Sequence, residues 1–371
     1  MKFEVSSGEL LKIMQVIYGA ISSNPVLPIL EDILFVIEDN ILTLRSTNLE
    51  TTITSKTEVM ADSNFSVAVP ATIFLNTIKS LPDQPVTISV NEDTYGIELK
   101  SSYGVYKLSG DKPEDFPNIP DRENINTITI SSDSLSRGLT HTLFATSSDE
   151  LRIAMTGVLF QVDYNKIIFV ATDAHKLTKY TVGTISSDEN TSFIVPKKAL
   201  TLLKNALPLD TEVTMSFNKL NVFIDFDDTS FALRLIDAKY PDYNAVIPLD
   251  NDNTLNISRT DFLSSLRRIA IYANKTTNQV LLNVDGNKLN ISAQDLDFSN
   301  EANEDLMCNY DGDSIQIGFN AKFLIEMLGV LKTDDVEIKM SRPNRAGILV
   351  PSEQLENEDL LMLIMPVMRS H

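Results

Sequence analysis

Hydrophobic and polar positions follow the same order three times along the chain. Segments that alternate apolar and polar residues, and therefore predict strands, lead into amphipathic segments that predict helices. The clearest copies are VPATIFLNTIKSL from Val69, VPKKALTLLKNAL from Val195 and FNAKFLIEMLGVL from Phe319. Their starting points lie 126 and 124 residues apart. A unit of about 120 residues is too long for a solenoid repeat and indicates three domains of one design.

Each unit is predicted to contain a strand, a helix, a hairpin of strands, a second helix and three further strands. Serine can cap the first helices, and proline suits the first turn of the second helices. The first helices are predicted at about 6–18, 131–143 and 258–272, and the second helices directly after Pro70, Pro196 and Asn320. The strands after them include 86–90, 213–217 and 336–340. The chain is therefore predicted to be α+β, with six helices and three sheets.

Two proline-rich connectors separate the units. They read GDKPEDFPNIPD from Gly110 and DAKYPDYNAVIPLD from Asp237, and such short extended segments hold neighbouring domains at a defined angle. We therefore expect domains at 1–120, 121–250 and 251–371, each long enough to bury its own core. In each domain two helices are expected to pack on antiparallel sheets.

The composition of the 371 residues predicts a cytoplasmic protein. Hydrophobic residues make up 43%, and no apolar run approaches the roughly 20 residues needed to cross a bilayer. The N-terminal residues alternate as a strand does and lack the apolar core of a signal peptide. Cys308 is the only cysteine, which excludes a disulfide framework and a thiolate metal cluster. No membrane partner is expected.

Charge is distributed unevenly between the predicted helices and the rest of the chain. The net charge of −20, from 31 basic and 51 acidic residues, opposes nonspecific binding to nucleic acid. The six helices nevertheless hold 11 basic residues and 4 acidic ones. One basic helix face would usually be only a solvated surface, but six together suit a polyanion whose phosphates are contacted without reading its sequence. The candidate DNA-binding residues are Lys12, Lys79, Arg137, Lys197, Lys198, Lys204, Arg267, Arg268 and Lys332.

Paired aspartates keep a second class of function open. Asp225 with Asp227 and Asp228, or Asp295 with Asp297, could serve a carbohydrate-active or metal-dependent hydrolase. Solvated strand ends give the same spacing more often. Neither GxxxxGK[ST] nor GxGxxG occurs, so no nucleotide cofactor is expected. A three-domain β scaffold without nucleic acid would share the repeats but would leave the basic helices unexplained.

Four further motifs occur in a fixed order. They are the second helices that open with VP, ATDAHKL from Ala171, YPDY followed by VIP from Tyr240, and MPVMR from Met365. Together they resemble the family of bacterial sliding clamps, the beta subunits of DNA polymerase III, over the whole chain. The resemblance implies a head-to-tail homodimer whose six domains close a ring, with helices lining the hole and sheets outside. It also implies a non-catalytic processivity factor of DNA replication that slides on duplex DNA.

The resemblance further implies partners and a pocket that binds them. The partners are double-stranded DNA, the DNA polymerase III alpha subunit, the clamp loader, and other DNA polymerases and repair proteins that present short clamp-binding peptides. The pocket residues carried over are Met155, Thr172, Ala174, His175, Lys176, Leu177, Pro241, Val246, Asn320, Phe323, Met365 and Pro366. Leu177, Val246 and Met365 are expected to form its floor. The sequence departs from the family pattern at Ala174, where Gly is usual, at Ala245, where a basic residue is common, and in the tail MPVMRSH.

The dimer contact can also be carried over from the family. It would place Tyr106 and Leu108 of the first domain against Ile271 and Tyr272 of the third domain of another copy. Asn24 occupies a position where the family has a basic residue that contacts DNA.

Overall fold

The computed structural model of the protein describes residues 1–22 and 24–368, which contain six α-helices and 26 strands. The helices are α1 (Ser7–Ile17), α2 (Ala71–Lys79), α3 (Ser132–Thr142), α4 (Lys197–Ala206), α5 (Arg259–Ile269) and α6 (Ala321–Val330). None of these helices is both long enough and apolar enough to span a membrane.

The strands follow the three repeats. Those of the first repeat are β1 (Lys2–Ser6), β2 (Asp32–Glu38), β3 (Ile41–Thr47), β4 (Thr51–Glu58), β5 (Met60–Ala61), β6 (Phe65–Pro70), β7 (Pro85–Val90), β8 (Gly96–Lys100) and β9 (Val105–Ser109). Those of the second are β10 (Asn126–Ser131), β11 (Gly157–Asp163), β12 (Lys166–Thr172), β13 (Lys176–Val182), β14 (Thr191–Pro196), β15 (Glu212–Phe217), β16 (Asn221–Phe226) and β17 (Thr229–Arg234). Those of the third are β18 (Asn253–Ser258), β19 (Gln279–Asp285), β20 (Lys288–Asp295), β21 (Asn300–Met307), β22 (Asn309–Asp311), β23 (Ile315–Asn320), β24 (Asp335–Met340), β25 (Gly347–Pro351) and β26 (Glu358–Ile364).

All six predicted helices are present, and local hydrogen bonds explain where they begin. Ser6 Oγ accepts hydrogen bonds from the N–H groups of Gly8 (3.1 Å) and Glu9 (3.3 Å) at the start of α1. Ser258 Oγ likewise accepts from Asp261 N (3.3 Å) at the start of α5. The first helix of each repeat ends earlier than predicted, because a 3-10 turn takes over its last residues. These turns are Tyr18–Ala20, Leu143–Ala145 and Ala270–Tyr272.

Contacts within the chain divide it into two compact units. Unit one holds Met1–Asp133 and Lys198–Leu235, and unit two holds Ser134–Lys197 and Ile236–His371. Each unit therefore combines a terminal repeat with part of the middle repeat.

Unit one contains two antiparallel sheets. Their strand orders are β5-β1-β7-β8-β9 and β10-β15-β16-β17-β4-β3-β2-β6. Helix α1 contacts β3 and β4, α2 contacts β2 and β6, and the two helices contact each other. Phe74 of α2 is fully buried and meets Phe35 of β2 edge-on, with ring centroids 5.3 Å apart. Burial of such apolar helix faces holds the helices on the sheets.

Unit two has the corresponding arrangement in the third repeat. Its sheets have the orders β14-β11-β12-β13-β26-β25-β24-β18-β22 and β21-β20-β19-β23. Helices α5 and α6 contact each other, α5 also contacts β20 and β21, and α6 contacts β23. Their buried faces include Phe262 and Leu266 of α5 and Leu324 and Leu328 of α6.

The prediction of three sheets was wrong, because the described residues form four. Strands of neighbouring repeats pair with each other. In unit one β17 pairs with β4, with Phe231 opposite Ile53, and in unit two β26 pairs with β13, with Met362 opposite Thr178. Pairing satisfies backbone groups that a free strand edge would leave open. We call these two strand pairs the closed joints, and the terminal strands β9 and β21 the open edges.

One backbone hydrogen bond recurs in all three repeats and shows which residues correspond. In each repeat, a residue soon after the last strand donates its N–H to a carbonyl in the strand before the second helix. The bonds run from Asp111 to Ala68 (2.9 Å), from Ile236 to Ile194 (2.9 Å) and from Val367 to Gly318 (2.8 Å). Residues at the same position relative to this bond and to the paired strands are called equivalent below.

Candidate partner-binding site and nucleic-acid surface

The turn between β12 and β13 forms the centre of the predicted peptide pocket, in unit two. Thr172 Oγ1 donates to Lys176 O (2.7 Å) and accepts from Ala174 N (3.1 Å). The Asp173 carboxylate accepts from the N–H groups of His175 and Lys176, each at 2.9 Å. The turn is therefore held by side-chain hydrogen bonds, which place Ala174 and His175 in solvent.

Ala174 adopts a left-handed backbone conformation, with φ of 75°. Glycine reaches this conformation without steric cost, whereas a residue with a Cβ atom pays roughly 1 kcal/mol. This conformation would favour the glycine that the resemblance implies at this position. Ala174 adopts it with a methyl group on the exposed side of the turn.

Lys176 connects this turn to helix α6. Its side chain is buried, and its Nζ lies 2.7 Å from Asp173 Oδ2 and 3.2 Å from Glu326 Oε2. Nζ also lies 4.2 Å from the ring centroid of Phe323, on which the ring of His175 stacks at 6.2 Å. A buried ammonium is stabilised only when carboxylates and a ring face replace its water. Lys176 thus supports the site from within rather than offering a contact on its surface.

The end of β26 borders the same turn. Leu363 lies opposite Leu177 in the closed joint, and the next strand position leads to Met365, whose N–H donates to His175 O (2.9 Å). The side chain of Met365 remains 41% exposed, and Met368 is also exposed. Flexible methionine side chains suit an adaptable apolar contact surface. Arg369 of the MPVMR motif lies outside the described residues.

A buried apolar cluster lies beneath this surface. It consists of Leu159, Ile168, Val170, Leu177, Ile194, Tyr243, Ala346 and Leu363, with Ala154, Ile236, Ala238, Tyr240, Ile247 and Leu361 packed against it. Leu177 is only 2% exposed, so most of its side chain belongs to this cluster, and its place on the pocket floor stays a prediction.

The two tyrosines of the YPDY motif anchor the connector on this cluster. Tyr243 OH donates to Gln161 Oε1 at 2.7 Å, and Tyr240 OH donates to Val170 O at 3.5 Å. Burial raises the pKa of Tyr240 above its ordinary value, so its hydroxyl stays a neutral donor. The connector thereby brings Val246, which is 52% exposed, to the same unit as the turn.

The predicted pocket residues thus divide into accessible and supporting groups. The exposed ones are Ala174, His175, Pro241, Val246 and Met365; the half-buried ones are Met155, Asn320, Phe323 and Pro366; the buried ones are Thr172, Lys176 and Leu177. Asn320 was expected to offer polar contacts to a peptide. Its Oδ1 instead caps α6 by accepting from Lys322 N (2.9 Å), and its Nδ2 donates to Thr277 O (3.2 Å).

Sequence reasoning missed two exposed apolar residues beside Met155. Leu151 and Ile153 project into solvent from a 3-10 segment, Glu150–Thr156, whose Ala154 packs on the buried cluster. The only signal in the sequence is a short alternation of apolar and other residues, which resembles a strand more than such a segment.

The predicted DNA-binding residues also fall into two groups. Lys12, Lys79, Lys197, Lys198, Arg267 and Lys332 are exposed, and Lys204 is half-buried. Arg268 forms two hydrogen bonds with the Glu304 carboxylate, at 2.8 and 2.6 Å. Arg137 is likewise engaged by Glu358, at 2.8 and 2.6 Å. Both arginines have carboxylate partners within the chain and are less available for phosphate contact, so their role at DNA stays a prediction.

Arg137 belongs to a network at the closed joint of unit two. The buried Glu358 carboxylate accepts from Arg137, from Ser134 Oγ (2.6 Å) and from the hydroxyl of Tyr180. Burial alone would raise the pKa of Glu358, but these hydrogen bonds outweigh it and lower the pKa below its ordinary value. Burial and the same carboxylate raise the pKa of Tyr180. The network ties α3 and β13 of the second repeat to β26 of the third.

The residues expected at a dimer contact lie at or near the open edges. Tyr106 and Leu108 are half-buried on β9, and Ile271 and Tyr272 are exposed on the 3-10 turn that contacts β21. Tyr106 also lines a concave surface of about 620 Å³ in unit one.

Asp32 lines the same concave surface and is buried. Its Oδ2 atom has no hydrogen-bond partner among the described residues. Burial, followed by the neighbouring Asp111 carboxyl, raises the pKa of Asp32 to about 7. This carboxyl is therefore partly protonated near neutral pH.

The aspartates that kept a hydrolase open have structural partners. The Asp225 carboxylate accepts two hydrogen bonds from Arg122, both at 2.7 Å, and Asp295 is buried and accepts from Asp297 N (3.2 Å). Within residues 1–22 and 24–368, no group of three or more His, Cys, Asp or Glu side chains could hold a metal ion. Nothing supports the hydrolase alternative.

Comparison with known proteins adds family evidence over nearly the whole chain. Models of the DNA polymerase III beta subunit match in three parts: the N-terminal domain at 1–120, the central domain at 129–242 and the C-terminal domain at 244–368. The beta sliding clamp of Vibrio cholerae is 27% identical over 99% of this chain and 100% of its own length. That of Escherichia coli K12 is 29% identical over 92% of this chain and 93% of its own length.

Solved structures agree with these matches. A sliding clamp from Pseudomonas aeruginosa, crystallised with griselimycin, superposes with a TM-score of 0.94 at 27% identity over 100% of both chains. The clamp of Bacillus subtilis shares the fold, with a TM-score of 0.94 at 24% identity over 100% of both chains. The chain therefore belongs to the family of bacterial beta sliding clamps, the beta subunits of DNA polymerase III.

Proposed function

We propose that the protein is a non-catalytic processivity factor that forms a head-to-tail homodimer, closes a ring of six domains around double-stranded DNA and tethers replication proteins there. The proposed domains are 1–120, 121–250 and 251–371. The proposed partners are the DNA polymerase III alpha subunit, the clamp loader, and other polymerases and repair proteins. The protein would act in the cytoplasm and need no cofactor. Family membership supports the class of function, and the strand pairing supports the dimer.

The observation that carries the dimer is the shared register of the two closed joints. Each joint pairs the last strand of one repeat, β17 or β26, with a strand of another repeat, β4 or β13. Strands β4 and β13 hold the same place in their repeats. Strand register and the recurring hydrogen bond make two sets of residues equivalent: Tyr106, Phe231 and Met362, and Ile53, Thr178 and Ala302. Phe231 lies opposite Ile53 and Met362 opposite Thr178, so both joints have one register.

The open edges carry the remaining member of each set. In the same register, Tyr106 of β9 would lie opposite Ala302 of β21 in a second copy. Lys107 would then face Glu301, and Leu108 would face Asn300. Lys107 and Glu301 are both exposed, and opposite charges on facing strand positions favour pairing; Lys107 Nζ also lies 3.1 Å from Glu98 Oε2 of its own chain. Because β9 belongs to the first repeat and β21 to the third, two copies would pair head to tail at two identical contacts.

The packing of the corresponding 3-10 turn in unit one supports a role for Ile271 at this contact. In unit one, a Cβ atom on Gly19 would lie 3.1 Å from Leu202 Cδ2. Gly19 and Ile271 are the middle residues of equivalent 3-10 turns, and Leu202 and Asn76 each stand six residues after the proline before their helix. Asn76 lines the concave surface beside Tyr106. If the two copies meet as Gly19 and Leu202 do within unit one, Ile271 of one copy would lie close to Asn76 of the other. The exposed Ile271 side chain would then fill this concave surface.

Exposed basic residues support sequence-independent contact with DNA. Lys12, Lys79, Lys197, Lys198, Lys204, Arg267 and Lys332 remain candidates for phosphate contact. Contacts to phosphates position a protein on DNA without reading bases, and a closed ring needs few of them. Such a ring would slide along the duplex.

The peptide site would bind partner segments through its exposed apolar rim. Val246 and Met365 can contact Leu or Phe anchors of a short peptide, and His175 can contact a Gln. Each buried anchor contributes roughly 1.5–3 kcal/mol before the cost of ordering the peptide. Changing Met365→Ser should weaken binding of a polymerase-tail peptide about tenfold in a calorimetric titration. The matched change Met60→Ser, at an exposed methionine in unit one, should leave affinity unchanged; equal affinities of both variants would refute the site.

The ring itself is tested by DNA topology. Protein placed on nicked circular DNA by a bacterial clamp loader should stay bound through gel filtration and should leave when the DNA is cut once. The variant Lys107→Glu, which sets like charges at the proposed contact, should be retained poorly on circular DNA. Equal retention of the unmodified protein on circular and linear DNA would contradict the proposal.

A further inference from the structure

The turn between β20 and β21 exposes two large apolar residues at its tip. Leu296 is 78% exposed and Phe298 is 71% exposed, and both belong to the four-residue connection 296–299. Neighbouring apolar side chains on an otherwise polar turn are a common mark of a contact surface. The question is what covers them.

The equivalent turns show what this tip would approach. In the closed joint of unit one, Glu50 O accepts a hydrogen bond from Arg234 N at 2.8 Å. In the closed joint of unit two, His175 O accepts from Met365 N at 2.9 Å. In both joints, the carbonyl of the last turn residue thus accepts a hydrogen bond from the backbone of another repeat, at the end of that repeat's last strand. The equivalent donor at an open edge is Ser109, the last residue of β9.

The third turn is longer than the other two. Between the paired residues Thr47 and Thr52, the first turn has four residues, and the equivalent pair Gln294 and Glu301 encloses six. The two additional residues lengthen this turn. If β9 of a second copy were paired with β21, the longer turn would extend past the C-terminal end of that β9. In the shorter turns, Leu49 and Ala174 come directly before the residues whose carbonyls accept these bonds, Glu50 and His175. In the longer turn, Phe298 comes directly before the equivalent residue, Ser299.

We propose that Leu296 and Phe298 dock on a second copy of this chain, against the surface formed by Tyr95 and residues 110–112 beyond β9. The proposal rests on the head-to-tail dimer and extends its contact beyond the paired strands. In that dimer Ser299 O would accept from Ser109 N of the second copy. Phe298 would then lie next to Gly110, whose N–H donates to Tyr95 O at 2.9 Å.

The receiving surface has the features that such a contact needs. Tyr95 is half-buried, so part of its ring remains available, Gly110 beside it is buried, and Asp111 and Lys112 that follow are exposed. A Cβ atom on Gly110 would lie 2.7 Å from Ala68 O, so glycine lets this segment pack closely on β6 at the base of the surface. The docked tip would remove two apolar side chains from water on each side of the ring.

The dimer dissociation constant tests this contact. Replacing Leu296 and Phe298 together by Ser should raise it about 10- to 100-fold in sedimentation measurements, while the thermal midpoint of unfolding measured on monomer changes little. The matched variant Leu209→Ser with Tyr164→Ser removes two exposed apolar side chains from loops of the second repeat and should leave this constant unchanged. Equal dissociation constants for the two double variants would overturn the proposal.

A second measurement identifies the occupant. A photoreactive phenylalanine analogue at position 298 should cross-link to residues 95 or 110–112 of a second copy, as read by mass spectrometry. Cross-links only to DNA or to a polymerase would overturn the inference while leaving the dimer in place. If the unmodified protein is monomeric at micromolar concentration, the proposed dimer itself fails, which distinguishes the two claims.

Discussion

The closed joints and the open edges use the same strand geometry with different chemistry. The closed joint of unit one sets Phe231 against Ile53, and that of unit two sets Met362 against Thr178, without charge in either pair. The open edges instead offer Lys107 on β9 and Glu301 on the acidic strand β21. A permanent joint within one chain can rely on burial, whereas an exposed edge must stay soluble when alone and reject wrong partners. Opposite charges serve both needs, because they favour the pairing of β9 with β21 and oppose the pairing of the acidic strand β21 with itself.

The largest effect is expected from breaking the closed joint of unit two. Arg137→Ala leaves the buried Glu358 carboxylate without its charged partner, which should lower the free energy of unfolding by about 2–4 kcal/mol in urea titrations at pH 7, allowing for partial exposure of Arg137. The exposed Arg267→Ala serves as control and should change it by less than about 0.5 kcal/mol. A loss for Arg137→Ala no larger than that of the control would show that the network does not hold the joint.

The same network sets a direction for pH. The pKa of Glu358 is lowered in the folded protein, so its stabilising contribution is present above its ordinary pKa and is lost as pH falls through the lowered value. The difference between the unmodified protein and Arg137→Ala should therefore shrink in acid.

A smaller effect is expected at the open edges. Lys107→Glu faces Glu301 with a like charge and should raise the dimer dissociation constant about tenfold at low salt, with less effect at 0.5 M salt because the charges are exposed. The double variant Lys107→Glu with Glu301→Lys restores opposite charges and should recover dimerisation. Lys56→Glu, on a strand inside a closed joint, is the control for net charge. A charge swap that fails to recover affinity would refute the facing pair.

The smallest effect concerns the carboxyl beside the open edge. Asp32 has a pKa raised to about 7, so the folded protein holds a proton that the unfolded chain releases, and the free energy of unfolding should fall as pH rises from about 4 to 7. Asp32→Asn should remove this dependence and stabilise the protein at pH 8, with a smaller gain at pH 5. Asp93→Asn, in an exposed turn, is the control. An equal gain at both pH values would contradict the assignment.

The sequence predicted what depends on local pattern. The six helices appear where the repeats placed them, because amphipathic period and serine caps act within a few residues. The joining of repeats through β17 with β4 and β13 with β26 was not predictable, since a period of two shows that a strand exists but not which distant strand it meets. Because strands of different repeats pair with each other, the described residues form four sheets rather than the three expected.

The candidate site shows the same limit. The turn of Asp173 to His175 was found from its motif, but the burial of Lys176 and Leu177 beneath it depends on α6 and β26, far along the chain. Arg137 was assigned to DNA from the positive charge of the predicted helices, and its partner Glu358, 221 residues away in sequence, could not be foreseen. Charge patterns along a helix do not show which cations are already paired.

The most direct test of the shared register is intermolecular disulfide formation between the open edges. In a Cys308→Ser background, the double variants Tyr106→Cys with Ala302→Cys and Lys107→Cys with Glu301→Cys place cysteines directly opposite each other, and one of two adjacent pairs has the close spacing that a disulfide needs. We predict that at least one forms a covalent dimer under mild oxidation. The same-face pairs shifted by two residues, Tyr106→Cys with Glu304→Cys and Lys107→Cys with Asn303→Cys, should not. Cross-linking of a shifted pair in preference, or no covalent dimer from either direct pair, would contradict the head-to-tail register.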